Sequence, residues 1–233
     1  VYGHKHPLML VSFLACVKSG RAYCPIDTSV PDSRVKMILD ALDSPILLTL
    51  SPLHGDCKNK RPLSLREIDR IIHTDFPSVD IRMEETRPEP VLGEDIFYII
   101  FTSGSTGTPK GVTITEQNLS NFLDWSITLG TPTNAKKGKV FLNQAPFSFD
   151  LSVLDLYTCL AVGGTLWCLT NDVQKDYRKL LDSLKRSGAS IMVSTPSFAD
   201  MCLSDPGFTQ TSLPELGLFL FCGETLTNRT VVK

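Results

Sequence analysis

Ten consecutive residues, Thr102-Ser103-Gly104-Ser105-Thr106-Gly107-Thr108-Pro109-Lys110-Gly111, hold five hydroxyl side chains, three glycines and one lysine. That composition suits an anion. The glycines let backbone N–H groups come close to a ligand, the hydroxyls donate hydrogen bonds, and Lys110 brings a compact positive charge. No carboxylate lies between Asp95 and Glu116 to repel a phosphate, the ligand such a loop would hold. The spacing is not that of a Walker A loop, which needs four residues between a glycine and Gly-Lys-Ser/Thr. The competing readings are an ordinary hairpin turn and a flexible linker. Ten residues between two apolar runs is longer than most hairpin turns and too well bounded for a linker.

Two other short segments could do chemistry. Asp150, in Phe147-Ser148-Phe149-Asp150-Leu151-Ser152, falls between an apolar strand and a helix. It reads either as the N-cap of that helix or as a carboxylate at the carboxyl end of a sheet, where it would pair with a substrate ammonium. Cys222-Gly223-Glu224 follows the apolar Leu218-Phe219-Leu220-Phe221 at a similar junction. Here Cys222 reads as a small packed side chain, Gly223 as a place where backbone approaches a flat group, and Glu224 as a helix-entry residue. His4 and His6 would share one strand face, but with no third ligand nearby they read as a surface pair, and no metal site is expected. His54 and His73 fall in a polar stretch and form no Ser/His/Asp arrangement.

The elements that must position these residues alternate. Pro7 at a first helical position and Gly20 at a stop bound a helix over Leu8 to Ser19, apolar nearly all round and so expected to be buried. Ala22 to Asp27 is extended, and Pro31 opens a helix with Val35, Ile38, Leu39 and Leu42 at helical spacing. Pro45 to Leu50 reads as a buried strand. Residues 51–95, with five prolines, read as a long surface connection holding one helix, Ser64 to His73. Strands flank the glycine-rich loop. Thr115 then caps a helix bearing Leu119, Phe122, Leu123 and Ile127. Further strands are expected at Lys139 to Asn143, Thr165 to Leu169, Ser190 to Val193 and Leu216 to Phe221. Helices are expected at Leu151 to Val162, around Tyr177 to Leu184 with a stop at Gly188, and at Pro196 to Leu203. This rhythm predicts an α/β fold of mixed, largely parallel sheets flanked by helices.

Composition removes several functions. The 233 residues carry 23 basic and 25 acidic side chains, a net charge of -2, so no basic surface announces nucleic acid. The longest apolar stretch, Leu8 to Val17, is far shorter than the roughly 18 residues that cross a bilayer, and no signal peptide is evident. Seven scattered cysteines without a C-x-x-C pair read as reduced, buried thiols of a cytoplasmic protein.

The loop Thr102 to Gly111 resembles, across its whole length, the phosphate-loop signature of the adenylate-forming superfamily. Val17-Lys18-Ser19-Gly20-Arg21-Ala22-Tyr23-Cys24-Pro25-Ile26-Asp27 resembles the second core motif of amino-acid adenylation domains, and Phe149-Asp150-Leu151-Ser152 their fourth. Cys222-Gly223-Glu224 stands where those domains carry a Gly-Gly-Glu-like element. Within the superfamily the resemblance is nearest to the branch that activates D-alanine for teichoic acids, on Val1-Tyr2-Gly3-His4-Lys5, Asn143 to Asp150 and Phe221 to Glu224.

The resemblance implies that Thr102, Ser103, Gly104, Ser105, Thr106 and Gly107 wrap the ATP phosphates, with Lys110 as the catalytic cation supporting them. It implies that Asp150 binds the amino group, that Cys222 lines a small side-chain pocket, and that Gly223 and Glu224 lie beside the adenine. The implied substrates and partners are MgATP, D-alanine and a carrier protein bearing phosphopantetheine. An adenylation domain for another small amino acid, or a non-catalytic nucleotide-binding remnant, are the alternatives. Residues 1–233 are expected to be part of the large N-terminal domain, in two segments, 1–95 and 96–233. About 50 residues are expected before Val1, and the metal-binding Glu, the ribose-binding Asp and a small C-terminal domain after Lys233, in a family of about 500 residues.

Overall fold

Pro7 cannot donate a backbone hydrogen bond, so it opens a helix at no loss, and His6 caps that opening by accepting from Leu8 N at 3.1 Å. In the computed structural model, which describes residues 1–53, 60–75, 88–103, 107–130 and 138–232 (71–75 by backbone alone), this helix is α1, Pro7–Lys18. The chain divides into two compact units, Val1–Leu119 and Ser120–Lys233.

The first unit carries a four-stranded parallel sheet in the order β2-β1-β3-β4, from β1 (Tyr2–Gly3), β2 (Ile26–Asp27), β3 (Ile46–Thr49) and β4 (Arg61–Ser64). Helix α2 (Asp32–Ala41) lays Val35, Ile38 and Leu39 into a core with Tyr2, Cys24, Ile26 and Leu47. Helix α3 is Leu65–Asp75. The antiparallel pair β5 (Ile96–Ser103) and β6 (Pro109–Thr115) leans on the same core through Ile99 and Phe101. Tyr23 ties that pair in place: its N–H donates to Phe97 O, its carbonyl accepts from Ile99 N, and its ring stacks on Phe13 at 4.2 Å.

The second unit is a parallel sheet in the order β10-β9-β7-β8, built from β7 (Val140–Asn143), β8 (Thr165–Cys168), β9 (Ile191–Ser194) and β10 (Leu218–Phe221). Strand residues alternate between its faces. Phe141, Ile191, Val193, Leu218 and Leu220 meet Cys159 and Val162 of helix α5 (Leu151–Ala161) and its C-cap. Leu142 and Met192 face the other way, toward Leu180 and Leu184 of α7 (Tyr177–Ser187) and Phe198, Ala199 and Cys202 of α8 (Pro196–Leu203). The short helix α6 (Asn171–Lys175) precedes α7, and α9 (Asn228–Val231) ends the described chain. Helix α4, Glu116–Ser126, spans the boundary between the units; Thr115 and Asn118 cap it reciprocally, each side chain accepting from the other's backbone N–H.

The predicted α/β class with largely parallel sheets is what the chain adopts, and most expected elements lie within two residues of their observed bounds. Four expectations are corrected. Helix α1 is not buried all round: Val11 is 58% exposed and Leu14 also faces out, because only Met9, Ser12, Phe13 and Val17 meet the core. Strand β3 buries only Leu47 fully, with Ile46 half in water and Leu48 and Thr49 partly buried, because Leu47 is the residue that joins the core with Tyr2, Ile26 and α2. Residues 61–64, assigned to a surface connection, form β4, since pairing with β3 matters more than the proline at position 62. His4 and His6 are not a surface pair: His4 Nδ1 lies 2.6 Å from Asp27 Oδ2, while His6 caps α1. Among the described residues no helix is long and apolar enough to cross a membrane.

Asp27 is nearly fully buried at the end of β2. Burial pushes its carboxyl up, but hydrogen bonds from His4 and from Ser29 N and Oγ outweigh that and hold it below the ordinary carboxylate range. A carboxyl lowered by folding contributes stability above its unfolded value of about 3.9 and loses it as pH falls through the lower folded value. Urea midpoints for wild type and Asp27→Asn should therefore differ most near about pH 6 and converge toward about pH 2.5.

Candidate functional site

The hydroxyl-rich segment is a hairpin. Thr102 pairs with Lys110 and Ser103 with Pro109, so both belong to the strands, and only positions 104–108 connect them. The expected ten-residue loop, longer than most hairpin turns, is thereby shortened to five: antiparallel pairing runs further into the polar residues than their composition suggested. Gly104, Ser105 and Thr106 lie outside the described residues. Gly107 has φ +79°, a backbone conformation that favours glycine, and among the described residues no other group stands within 4 Å of where a Cβ would be. Gly111 serves packing instead of ligand approach, since a Cβ would come within 3.1 Å of the Ile99 and Phe101 side chains. Thr102, Ser103 and Lys110 are exposed, and among the described residues their side chains have no hydrogen-bond or ionic partner. The stem of the hairpin thus presents two hydroxyls and one ammonium to solvent.

The second unit gathers its candidates at the carboxyl ends of three adjacent strands. Strand β9 pairs in register with β7 on one side and β10 on the other, Asn143 with Val193 and Phe221 with Ser194. Cys222 follows directly, its N–H donating to Ser194 O at 3.3 Å. Because Leu218 and Leu220 face α5, alternation turns Cys222 to that side as well. There it lies within electrostatic reach of Asp150 at the start of α5. Asp150 is the N-cap, its Oδ1 accepting from Leu151 N at 2.8 Å. The capping reading of Asp150 therefore holds, yet Oδ2 keeps no hydrogen-bond partner among the described residues and the side chain is exposed. A ligand cation could reach it without breaking the cap.

Electrostatics ties these groups together. Burial pushes the half-buried Cys222 thiol up, and the carboxylates of Asp150 and Asp155 push it further. At neutral pH the group is a thiol, not a nucleophilic thiolate, so it can wall a pocket but is poorly suited to covalent catalysis. Gly223 adopts φ +85°, and the space beside it is open, the nearest atom to a Cβ being Thr195 Cγ2 at 3.7 Å. Glu224 enters no following helix. Its Oε2 accepts from Ser197 N at 3.0 Å and its Oε1 from Ser197 Oγ at 2.9 Å, so it closes over the first turn of α8. Glu224 is thus an entry residue for a helix that precedes it in sequence.

Sequence reasoning passed over Asn143 and Asp155, fully buried and joined by two hydrogen bonds from Asn143 Nδ2, at 2.9 and 3.1 Å. The signal available was a lone carboxylate inside the apolar stretch Leu151 to Ala161. It also passed over Gln174, whose Nε2 donates to Gln144 O and Leu169 O and so fixes the segment leading to Asp150. Six cysteines are free thiols, three of them buried, while Cys57 lies outside the described residues. Among the described residues no three His, Cys, Asp or Glu side chains gather as a metal ion would need.

A family model described as AMP-binding enzyme matches residues 1–233. The D-alanine–D-alanyl carrier protein ligase of Bacillus licheniformis is 50% identical over 229 residues, 97% of this chain and 43% of that protein. The protein of the same name from Bacillus cytotoxicus is 44% identical over 234 residues, 100% of this chain and 45% of its own. The chain thus spans less than half the length of these curated relatives. Among solved structures, VinN in complex with L-aspartate superposes with a TM-score of 0.78 at 19% identity, over 99% of this chain and 57% of that one. The N-terminal subdomain of Klebsiella oxytoca NpsA, solved with 3-hydroxybenzoyl-AMSN, gives 0.76 at 19%, over 98% and 54%. At such identities the likeness is one of fold.

Two outcomes test the geometry. Asp150→Asn should speed alkylation of Cys222 at about pH 8, because removing a neighbouring carboxylate lowers the thiol's pKa; peptide mapping after timed iodoacetamide treatment reads this. Glu224→Ala should cost about 1 kcal/mol of stability by releasing the first turn of α8, seen as a lower urea midpoint.

Proposed function

The chain belongs to the AMP-binding enzyme family, and from that premise we propose that it forms the nucleotide and amino-acid binding part of a ligase that activates D-alanine. The observation that carries the reading is the open oxygen of Asp150 beside Cys222 at the carboxyl ends of β7, β9 and β10. A carboxylate there suits a substrate ammonium, and a thiol suits a small side chain. D-alanine itself, and a carrier protein as acceptor, come from the likeness to the Bacillus ligases. Residues 1–233 are read as part of a larger N-terminal domain, with 96–233 carrying the phosphate loop and substrate pocket, in a cytoplasmic enzyme.

In this reading MgATP is a substrate whose phosphates lie along Thr102, Ser103, the positions 104–106 and Gly107, with Lys110 contributing positive charge. The D-alanine carboxylate attacks the α-phosphorus, the bond to pyrophosphate breaks, and an aminoacyl adenylate forms. A phosphopantetheine thiol of the carrier protein then takes the aminoacyl group and AMP leaves. No protein nucleophile is needed, in keeping with a Cys222 that stays protonated. What this chain's residues contribute is positioning and electrostatic stabilisation. Asp150 holds the ammonium, Cys222 bounds the methyl group, and Gly223 leaves room for a flat ring against backbone, with Glu224 stiffening the turn beside it.

Magnitudes order the selectivity. A charge-assisted hydrogen bond to an ammonium contributes about 1.5–3 kcal/mol, whereas distinguishing a methyl group from hydrogen contributes about 1 kcal/mol. Selection for an amino group should therefore exceed selection for size. ATP–pyrophosphate exchange by a polypeptide of the relatives' full length, with D-alanine, L-alanine, glycine and acetate, checks this. D-alanine should be preferred and acetate activated at least about tenfold less well, with Asp150→Ala lowering kcat/KM for D-alanine by about tenfold or more. Equal use of acetate, or an intact Asp150→Ala enzyme, would overturn the reading; a uniformly absent response would favour a non-catalytic nucleotide-binding role. The 233 residues alone are expected to show no exchange above background.

A further inference from the structure

The α5-facing side of the second sheet changes character at its carboxyl end. Phe141, Ile191, Val193, Leu218 and Leu220 are apolar, but the next positions on that side of β7 and β10 are Asn143 and Cys222. The side-chain amide nitrogen of Asn143 donates to both oxygens of Asp155, and neither residue has any solvent exposure. The N-terminus of α5 is already capped by Asp150, so a second carboxylate is not needed to start the helix. Burying one is unfavourable unless its hydrogen bonds are good, and a pair of apolar residues often serves stability as well or better.

We propose that Asp155 is a positioning residue of the amino-acid pocket: its buried charge, directed at the strand ends by Asn143, adds to that of Asp150 in favouring an ammonium-bearing substrate. This rests on the amino-acid-activating reading above. Asp150 is exposed and its charge is partly screened by water, whereas the charge of Asp155 acts through protein and is screened less. The Cys222 thiol, on the pocket wall, is pushed up by burial first and then by both carboxylates. Asp155 touches no solvent and so acts on a bound ammonium through the field and not by contact. Such a charge favours the bound substrate equally before and during reaction, so its loss raises KM and spares kcat.

Asp155→Asn, which keeps the side-chain shape, tests this in the full-length enzyme by two readouts. Alkylation of Cys222 by iodoacetamide at about pH 8, mapped by mass spectrometry, should become about threefold faster than wild type. In pyrophosphate exchange, KM for D-alanine should rise about tenfold with kcat within about twofold. Should that variant not fold, N143L/D155L removes the carboxylate together with the amide that donates to it, and the same two changes are expected of it. An unchanged alkylation rate would show that no field reaches the pocket wall, and faster alkylation with an unchanged KM would show that the substrate does not use it; either overturns the proposal. If Asp150→Asn also leaves KM for D-alanine unaltered, the amino-acid reading fails and takes this proposal with it, whatever the thiol reports.

Discussion

Register among three parallel strands is the constraint on which the candidate pocket depends. Strand β9 holds β7 and β10 in register, Asn143 beside Val193 and Phe221 beside Ser194, so that Cys222 follows just past the end of β10 on the side Asn143 faces. Since side chains alternate with a period of two, a one-residue slip of β10 would send Cys222 to the face of α7 and α8 and bring Phe221 to α5. Apolar packing prevents the slip. Leu218 and Leu220 fit against α5 with Phe141 and Val193, while Phe221 packs on the opposite cluster with Leu142 and Met192. The hydrophobic core therefore fixes where the polar groups appear, Asn143 and Cys222 on the α5 side of the strand ends.

The hairpin in the first unit follows the same logic with a different lock. Phe101 lies across from Gly111, where a Cβ would press on that ring at 3.1 Å. Tyr23, stacked on Phe13 and bonded through its backbone to Phe97 and Ile99, pins β5 to the chain entering β2. At the base, Glu116 accepts from Gly93 N and donates its own N–H to Asp95 O. The stem is thus held firmly by groups other than its exposed hydroxyls and lysine. Thr102, Ser103 and Lys110 have no side-chain partner among the described residues, so the stem keeps its form without them.

Buried polar groups set limits on both units. Asp27 and Asp155 are carboxylates removed from water, and each is matched by donors: His4 and Ser29 for the first, Asn143 for the second. The two differ in what lies next to them. Asp27 joins β1 to β2 and serves the sheet, whereas Asp155 sits under strand ends that carry the candidate pocket. Helix ends show a similar division. Asp176 and Thr195 cap α7 and α8 in the ordinary local way, but Glu224 reaches α8 from 27 residues further along the chain.

Local patterns were legible in the order of residues alone. Pro7, Gly20, Pro31, Thr115, Gly188 and Pro196 mark helix ends because each acts on its own backbone, and apolar periodicity tells helix from strand because it depends only on residues a few positions apart. For the same reason the residues of the loop, of Asp150 and of Cys222 stood out: their types and their junctions are local facts. What pairs with what was not legible. Nothing near position 62 announces that β4 will lie beside β3, nothing in the hydroxyl-rich run says that Thr102 will face Lys110 across a ladder, and no spacing connects Asn143 to Asp155 or Ser197 to Glu224. Those contacts arise when strands distant in sequence choose a register, a choice made by the summed packing of whole faces, and only the folded chain carries that sum.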